Sequence, residues 1–220
     1  MAVSQNGYPA NDVTLTDVFT VPGTAVRLRL RKGACGRALV EVAAWVDRHV
    51  EDIDTREGAK GFDVPDDWSF AERRIRGGEA LSNHASGTAM DLNAVQHPLG
   101  VGGTWSPNQK TAINHYLEDE WTDPKTGKVV IRWGENYTSR TDGMHFEINA
   151  DEAAVTRALS AYLARREAEE NPLMALSDDD AAKIGPWLTK QATQALQRDY
   201  FTCKVNANRL SALIGRVPVK

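Results

Sequence analysis

Cysteine is nearly missing from this chain: Cys35 and Cys203 stand far apart in the 220 residues, so there is neither a disulfide framework nor a CxxC metal knuckle. Long apolar runs are missing too, since no stretch approaches the roughly 18 residues of a membrane-spanning helix, which excludes membrane insertion. There is no long Lys/Arg run, and with a formal charge of -4 the chain lacks what a general nucleic-acid binder needs to neutralise phosphates. The opening MAVSQNGYPAND has neither the basic nor the apolar part of a secretory signal, so the expectation is a protein made in the cytoplasm that reaches any external substrate without a cleaved leader. Internal repeats and low-complexity tracts are likewise absent.

What is present is an ordinary globular composition, 41% hydrophobic and 25% charged, enough for one sizeable core and a smaller appendage. Residues 1–34 are rich in β-branched residues and turn formers and read as an N-terminal arm with one or two short strands. Within it, RLRLRK at 27–32 alternates Leu28 and Leu30 against Arg27, Arg29 and Arg31, the pattern of a half-buried strand with a solvated basic face. Leu39, Val42, Val46 and Val50 then recur at helical spacing and predict a helix over 36–52. From 53 to 83 the chain is polar and turn-rich, a long loop of the kind that often carries function.

Short strands are expected at TAMDLN (88–93), VVIRW (129–133) and MHFEIN (144–149). Ser106-Pro107-Asn108-Gln109 has capping-box spacing with proline at the first helical position, predicting a helix over 107–121. Asn149, with Glu152 three residues on, predicts another helix to about 169, striped by Val155, Leu159, Tyr162 and Leu163. Residues 35–170 are thus the expected central domain. The segment 171–220, opening on charge and proline, reads as a short helical C-terminal region, a candidate wall-binding or interaction segment.

Two segments carry candidate chemistry: Ser82-Asn83-His84-Ala85-Ser86-Gly87-Thr88-Ala89-Met90-Asp91-Leu92 and Asp142-Gly143-Met144-His145-Phe146-Glu147. Two histidines and a carboxylate (His84, Asp91, His145) form a legitimate catalytic zinc set, because three protein ligands leave the fourth tetrahedral position open. Gly87 permits a chain reversal that brings the His84 loop beside the strand holding Asp91. His145 and Glu147, two apart on a strand, share a face opposite Met144, Phe146 and Ile148. Asp142 is free to sit at the pocket rim and take a proton, and Glu147 is placed to hold a ligand imidazole in one tautomer. Spacing alone does not decide against the alternative, in which each of these is an ordinary structural residue. His49, His97 and His115 read as surface or structural histidines, Arg73, Arg74 and Arg76 as a solvated cluster, and Trp133 as a core residue.

SxHxxGxAxD followed by DxxHFE, with RxIRGG before the first motif and Trp133-Gly134 before the second, resembles the VanY-like D-Ala-D-Ala carboxypeptidase family of zinc peptidases, and especially the peptidase domains of phage endolysins, over roughly 35–165. The resemblance implies Zn2+ on His84, Asp91 and His145, with Asp142 as general base. It implies Arg76 as the arginine supporting the substrate carbonyl, with Arg73 and Arg74 as competitors. Ser82 and Trp133 are the candidates for lining the substrate cleft. Aspartate at the base position leans toward the endopeptidases that cut L-Ala–D-Glu in peptidoglycan stem peptides, although Gly143-Met144 departs from the proline-containing versions. The alternatives are a D-Ala-D-Ala carboxypeptidase and a non-catalytic, zinc-stabilised wall-binding module. An endolysin of this kind acts on the cell wall after release through a separate membrane pore. The element pattern predicts an α+β fold: a small antiparallel sheet carrying the zinc site, packed by helices. Oligomeric state is not legible in the sequence.

Overall fold

The computed structural model describes residues 2–54, 66–75 and 77–170. Both the expected C-terminal region, 171–220, and Arg76 lie outside the described residues. Met1–Tyr162 form one compact unit, and the described part of a second unit, from Leu163, is the last stretch of a helix ending at Glu170. The fold is α+β, as the element pattern predicted.

The first sheet is an antiparallel hairpin of β1 (Thr16–Thr20) and β2 (Arg27–Arg31), with Val18 opposite Arg29. Leu28 and Leu30 are fully buried and the intervening arginines turn outward, as the alternation required. Helix α1 (Ala34–His49) buries Leu39, Val42, Ala43 and Val46. Gly36 lets it approach the hairpin, because a Cβ there would lie 2.1 Å from the Arg31 carbonyl oxygen. On the helix flank, Trp45 stacks on Tyr116 of α2 (Pro107–Glu120) at 3.9 Å between ring centroids. The α2 capping box is formed as read: the Ser106 hydroxyl accepts from the Gln109 N–H and the Gln109 side chain accepts from the Ser106 N–H.

The second sheet runs β3 (Ala89–Asp91), β5 (His145–Ile148), β4 (Ile131–Trp133), antiparallel throughout, with β5 central. Met90, Phe146 and Trp133 fall in one cross-strand row and are all buried on the core face. Full burial of each such side chain stabilises by about 1.5–3 kcal/mol. The other row pairs Asp91 with His145, and Glu147 with both Ala89 and Arg132.

Three expectations change. Residues 1–34 are not a separable arm: Ser4 bonds Ser86 at 2.8 Å, while the Asn6 amide donates to the Ile148 carbonyl at 2.9 Å and to the Thr88 hydroxyl at 2.8 Å. Those bonds join positions more than eighty residues apart, which periodicity does not encode. The expected loop is partly ordered by the sheets, since Trp68 exchanges backbone hydrogen bonds with Asp91 at 2.7 and 2.8 Å and Phe70 donates to Arg29 at 3.0 Å. Helix α3 (Glu152–Glu170) is capped by Asp151 rather than Asn149, the Asp151 carboxylate accepting from the Ala154 N–H at 2.8 Å.

Before α3, the turn after α2 is tied back by a two-point pair, Arg157 Nε and Nη2 each 2.8 Å from a carboxylate oxygen of Asp123. Hydrogen bonds from Arg157, then from the Lys125 N–H and the Thr126 hydroxyl, hold the Asp123 carboxyl well below the usual carboxylate range. A carboxyl depressed on folding contributes stability above its unfolded pKa, about 3.9, and that contribution is lost as pH falls from there toward the folded value. Thermal unfolding measured from pH 6 to pH 2 should therefore fall more steeply below about pH 4 in the wild type than in Asp123→Asn. Parallel curves would remove Asp123 from the acid transition.

Candidate metal centre

The centre is assembled by a short helical turn, a strand edge and the middle strand. Residues Asn83–Ser86 form a 3-10 turn whose first N–H groups are met by the Ser82 hydroxyl, 3.3 Å from the His84 N–H. Gly87 closes the turn with φ +69, and a Cβ there would lie 2.7 Å from the Arg31 backbone nitrogen, so both conformation and contact require glycine. The reversal swings His84 back over Asp91 on β3, and the Asp91–His145 register on β5 completes the triangle.

His84 Nε2 lies 3.2 Å from Asp91 Oδ1 and 3.2 Å from His145 Nδ1, and His145 Nδ1 lies 2.8 Å from Asp91 Oδ1. Four ligands at zinc–nitrogen and zinc–oxygen distances of about 2.0–2.1 Å in a tetrahedron stand about 3.3 Å apart. The observed edges are close to one face of that tetrahedron.

The outer partners decide which atoms face inward. His84 Nδ1 is 2.6 Å from the Ser69 carbonyl oxygen, which can only accept, so Nδ1 carries the hydrogen and Nε2 presents its lone pair. His145 Nε2 is 3.1 Å from Glu147 Oε2, which leaves Nδ1 facing the centre. With both imidazoles neutral, two nitrogen lone pairs and a carboxylate oxygen converge in a site where all three residues are buried. Such a site could hold a metal cation. Burial by itself would disfavour a charged His145, but hydrogen bonds to Asp91 and Glu147 outweigh it and push the imidazolium up to about 10. A proton and a metal ion thus compete for the same position. The charge of the same histidines, with their hydrogen bonds, outweighs burial at Asp91 and holds it ionised.

Glu147 is the hub behind the ligands. It accepts from Asn83 Nδ2 at 2.5 Å, from the Tyr137 hydroxyl at 2.6 Å and from Arg132 Nε at 2.8 Å, in addition to His145. Burial alone would favour the neutral acid, but these donors and the Arg132 charge keep it ionised. Asn83 is itself oriented by the Asn6 N–H at 3.0 Å, so the N-terminal segment reaches the centre through two hydrogen bonds. Glu147→Gln should weaken zinc binding about 10- to 100-fold with the fold retained, measured by competition with a chelating dye. Unchanged affinity would leave Glu147 without a role in holding His145.

A cleft of about 610 Å³ opens over this centre, with Ser82, Asp91, His145 and Asp142 among its lining residues. Asp142 is half-buried and its Oδ1 is buried with no hydrogen-bond partner. Burial raises its pKa above the ordinary aspartate value, opposed by the nearby His145 charge. Its neighbour is clamped: the Gly143 carbonyl accepts from the indole N–H of Trp133 at 2.8 Å and of Trp105 at 3.1 Å.

Trp133 therefore does not line the cleft. It is 1% exposed, lies parallel to Phe146 and spends its N–H on the clamp. Trp133 sits on the core side of β4, while Ser82 reaches the cleft wall. Among the three arginines in question, Arg73 lines the cleft, with Nη2 4.0 Å from Asp91 Oδ2, whereas Arg74 pairs with Glu79 at 2.8 Å on the surface. His97 is a buried structural residue, stacked on Trp105 and bonded to Glu51 and Thr104.

Sequence reading missed Asn83, Arg132, Ser69, Trp105, Tyr137 and the half-exposed Trp68 at the cleft edge. Asn83 lies inside the quoted motif and Arg132 alternates with the core residues Ile131 and Trp133, so those two had a signal. The others are placed by loops.

Among the described residues no helix is long and apolar enough to cross a membrane. Neither the curated proteins nor the solved structures yield a match to this chain. A family model described as D-alanyl-D-alanine carboxypeptidase matches residues 76–148, about a third of the chain, and over that segment, which holds His84, Asp91, His145 and Asp142, the chain is similar to that family.

Proposed function

We propose that the protein is a zinc-dependent peptidase that hydrolyses peptidoglycan stem peptides, and that the bond it cuts is L-Ala–D-Glu. The observation that carries this reading is the open triangle of His84, Asp91 and His145 beside the unpartnered Asp142 oxygen at one cleft. A zinc ion held by those three side chains would supply Lewis acidity for the scissile carbonyl and a water made acidic near neutral pH.

The protein's own groups do the rest. The Asp142 carboxylate takes the proton from the attacking water and returns it to the leaving amine, a role suited to a carboxylate whose pKa burial has raised above the ordinary aspartate value. The two indoles on the Gly143 carbonyl hold the backbone beside that carboxylate. Arg76, which the family resemblance implies, or Arg73, which lines the cleft 4.0 Å from Asp91, supports the negative charge that develops on the carbonyl oxygen. Ser82 shapes the wall while its hydroxyl fixes the turn that aims His84.

Aspartate at position 142 favours the endopeptidase. The family description favours the second reading, a D-Ala-D-Ala carboxypeptidase. Mass spectrometry of purified peptidoglycan treated with zinc-loaded protein separates them: new N-terminal D-Glu supports the first and free D-Ala the second. Release of neither overturns the peptidase.

A further inference from the structure

On the proposed reading, both candidate bonds share one chemical feature. In L-Ala–D-Glu and in D-Ala–D-Ala, the carbon bearing the scissile nitrogen has D configuration and also bears an α-carboxylate. Whichever bond is cut, a negative charge sits one carbon from the leaving nitrogen.

The cleft holds a cation suited to that charge. Arg132 lies on β4 directly opposite Glu147, on the face of the sheet that carries His145. Two residues along a strand is about 6.6 Å, so Arg132 stands one step from the metal ligand. Its side chain is 42% exposed, whereas its partner Glu147 is 3% exposed. Nε and Nη2 both turn to Glu147 Oε1, the guanidinium lies 5.0 Å from the Tyr137 ring centre, and the cleft lies on its open side. A guanidinium fixed along one edge by a buried carboxylate and across one face by an aromatic ring keeps another edge for an incoming carboxylate, without the entropy cost of ordering a free side chain. Among the described residues the other two cleft arginines fit less well: Arg73 is drawn to Asp91, and Arg140 is exposed on the loop after Tyr137.

We infer that Arg132 is a specificity-determining residue that binds the α-carboxylate of the residue carrying the scissile nitrogen, so that the enzyme distinguishes substrates with a free carboxylate from those in which it is amidated. This rests on the peptidase reading above. It predicts that walls containing D-isoglutamine resist the endopeptidase, or that a C-terminal amide blocks the carboxypeptidase.

The test uses pairs of synthetic stem pentapeptides at saturating zinc, D-Glu against D-isoglutamine for the inner bond, and D-Ala-D-Ala against its C-terminal amide for the outer. Wild type should favour the carboxylate by about 10- to 100-fold in kcat/KM, the range of a charge-assisted hydrogen bond. Arg132→Gln should bring that ratio near one, chiefly by raising KM for the carboxylate substrate, and Arg132→Lys should restore part of it. A residue acting only through Glu147 would lower both substrates in proportion and leave the ratio intact, which overturns the inference, as does equal cleavage of acid and amide by wild type. Cleavage of no member of either pair refutes the peptidase reading itself, and the inference with it.

Discussion

Asp142→Ala is expected to bind zinc with wild-type stoichiometry and to lose about 10²- to 10⁴-fold in kcat on purified peptidoglycan. The expectation rests on separation of roles. Asp142 contributes no atom to the ligand triangle, and the register that makes the triangle, Asp91 opposite His145, does not pass through its side chain. Its Oδ1 has no hydrogen bond to lose, so truncation leaves no orphaned donor behind. The backbone there is held independently, by the Asp142 N–H on the Gly134 carbonyl at 2.9 Å and by the two indoles on Gly143. Metal content by elemental analysis and turnover by muropeptide release check both halves. A variant with full zinc and unchanged hydrolysis would remove Asp142 as the base.

His84→Ala should do the opposite, abolishing hydrolysis by emptying the centre. If three ligands share the roughly 10–16 kcal/mol that a structural zinc site can supply, each accounts for about 3–5 kcal/mol, so zinc affinity should fall on the order of 10³-fold. Alanine also leaves the Ser69 carbonyl without the imidazole that donates to it at 2.6 Å. Calorimetry is the direct check: wild type should gain thermal stability on adding zinc, because the ion binds the folded state, and the variant should gain about 4 kcal/mol less at the same zinc concentration. Retention of stoichiometric, tight zinc by His84→Ala would overturn the ligand assignment, whatever happened to activity.

Several elements were legible in the sequence because their determinants are local. The β2 strand follows from Leu28 and Leu30 alternating with arginines, and α2 from Ser106 and Gln109 capping each other across three residues. The shared face of His145 and Glu147 follows from the twofold repeat of a strand, and the structure puts their side chains 3.1 Å apart. Where two local signals competed, the reading slipped. Asn149 and Asp151 both precede Glu152, and only the backbone path after β5 decides that Asp151 accepts the Ala154 N–H.

The candidate residues His84, Asp91, His145 and Asp142 were singled out in the sequence by the two ordered motifs and the family they resemble, where spacing alone left them open. What only the tertiary structure decided is how those groups face one another and what stands behind them. His84 presents Nε2 because a carbonyl fifteen residues upstream takes the other nitrogen, and Glu147 is held by donors from four segments, one of them oriented by Asn6 at the far N-terminus. Trp133, read beforehand as both a core and a cleft residue, is a clamp on Gly143, and Arg73 is brought to the cleft wall. These outcomes depend on hydrogen bonds between residues distant in sequence, whose partners no periodicity or spacing specifies until the sheets have brought them together.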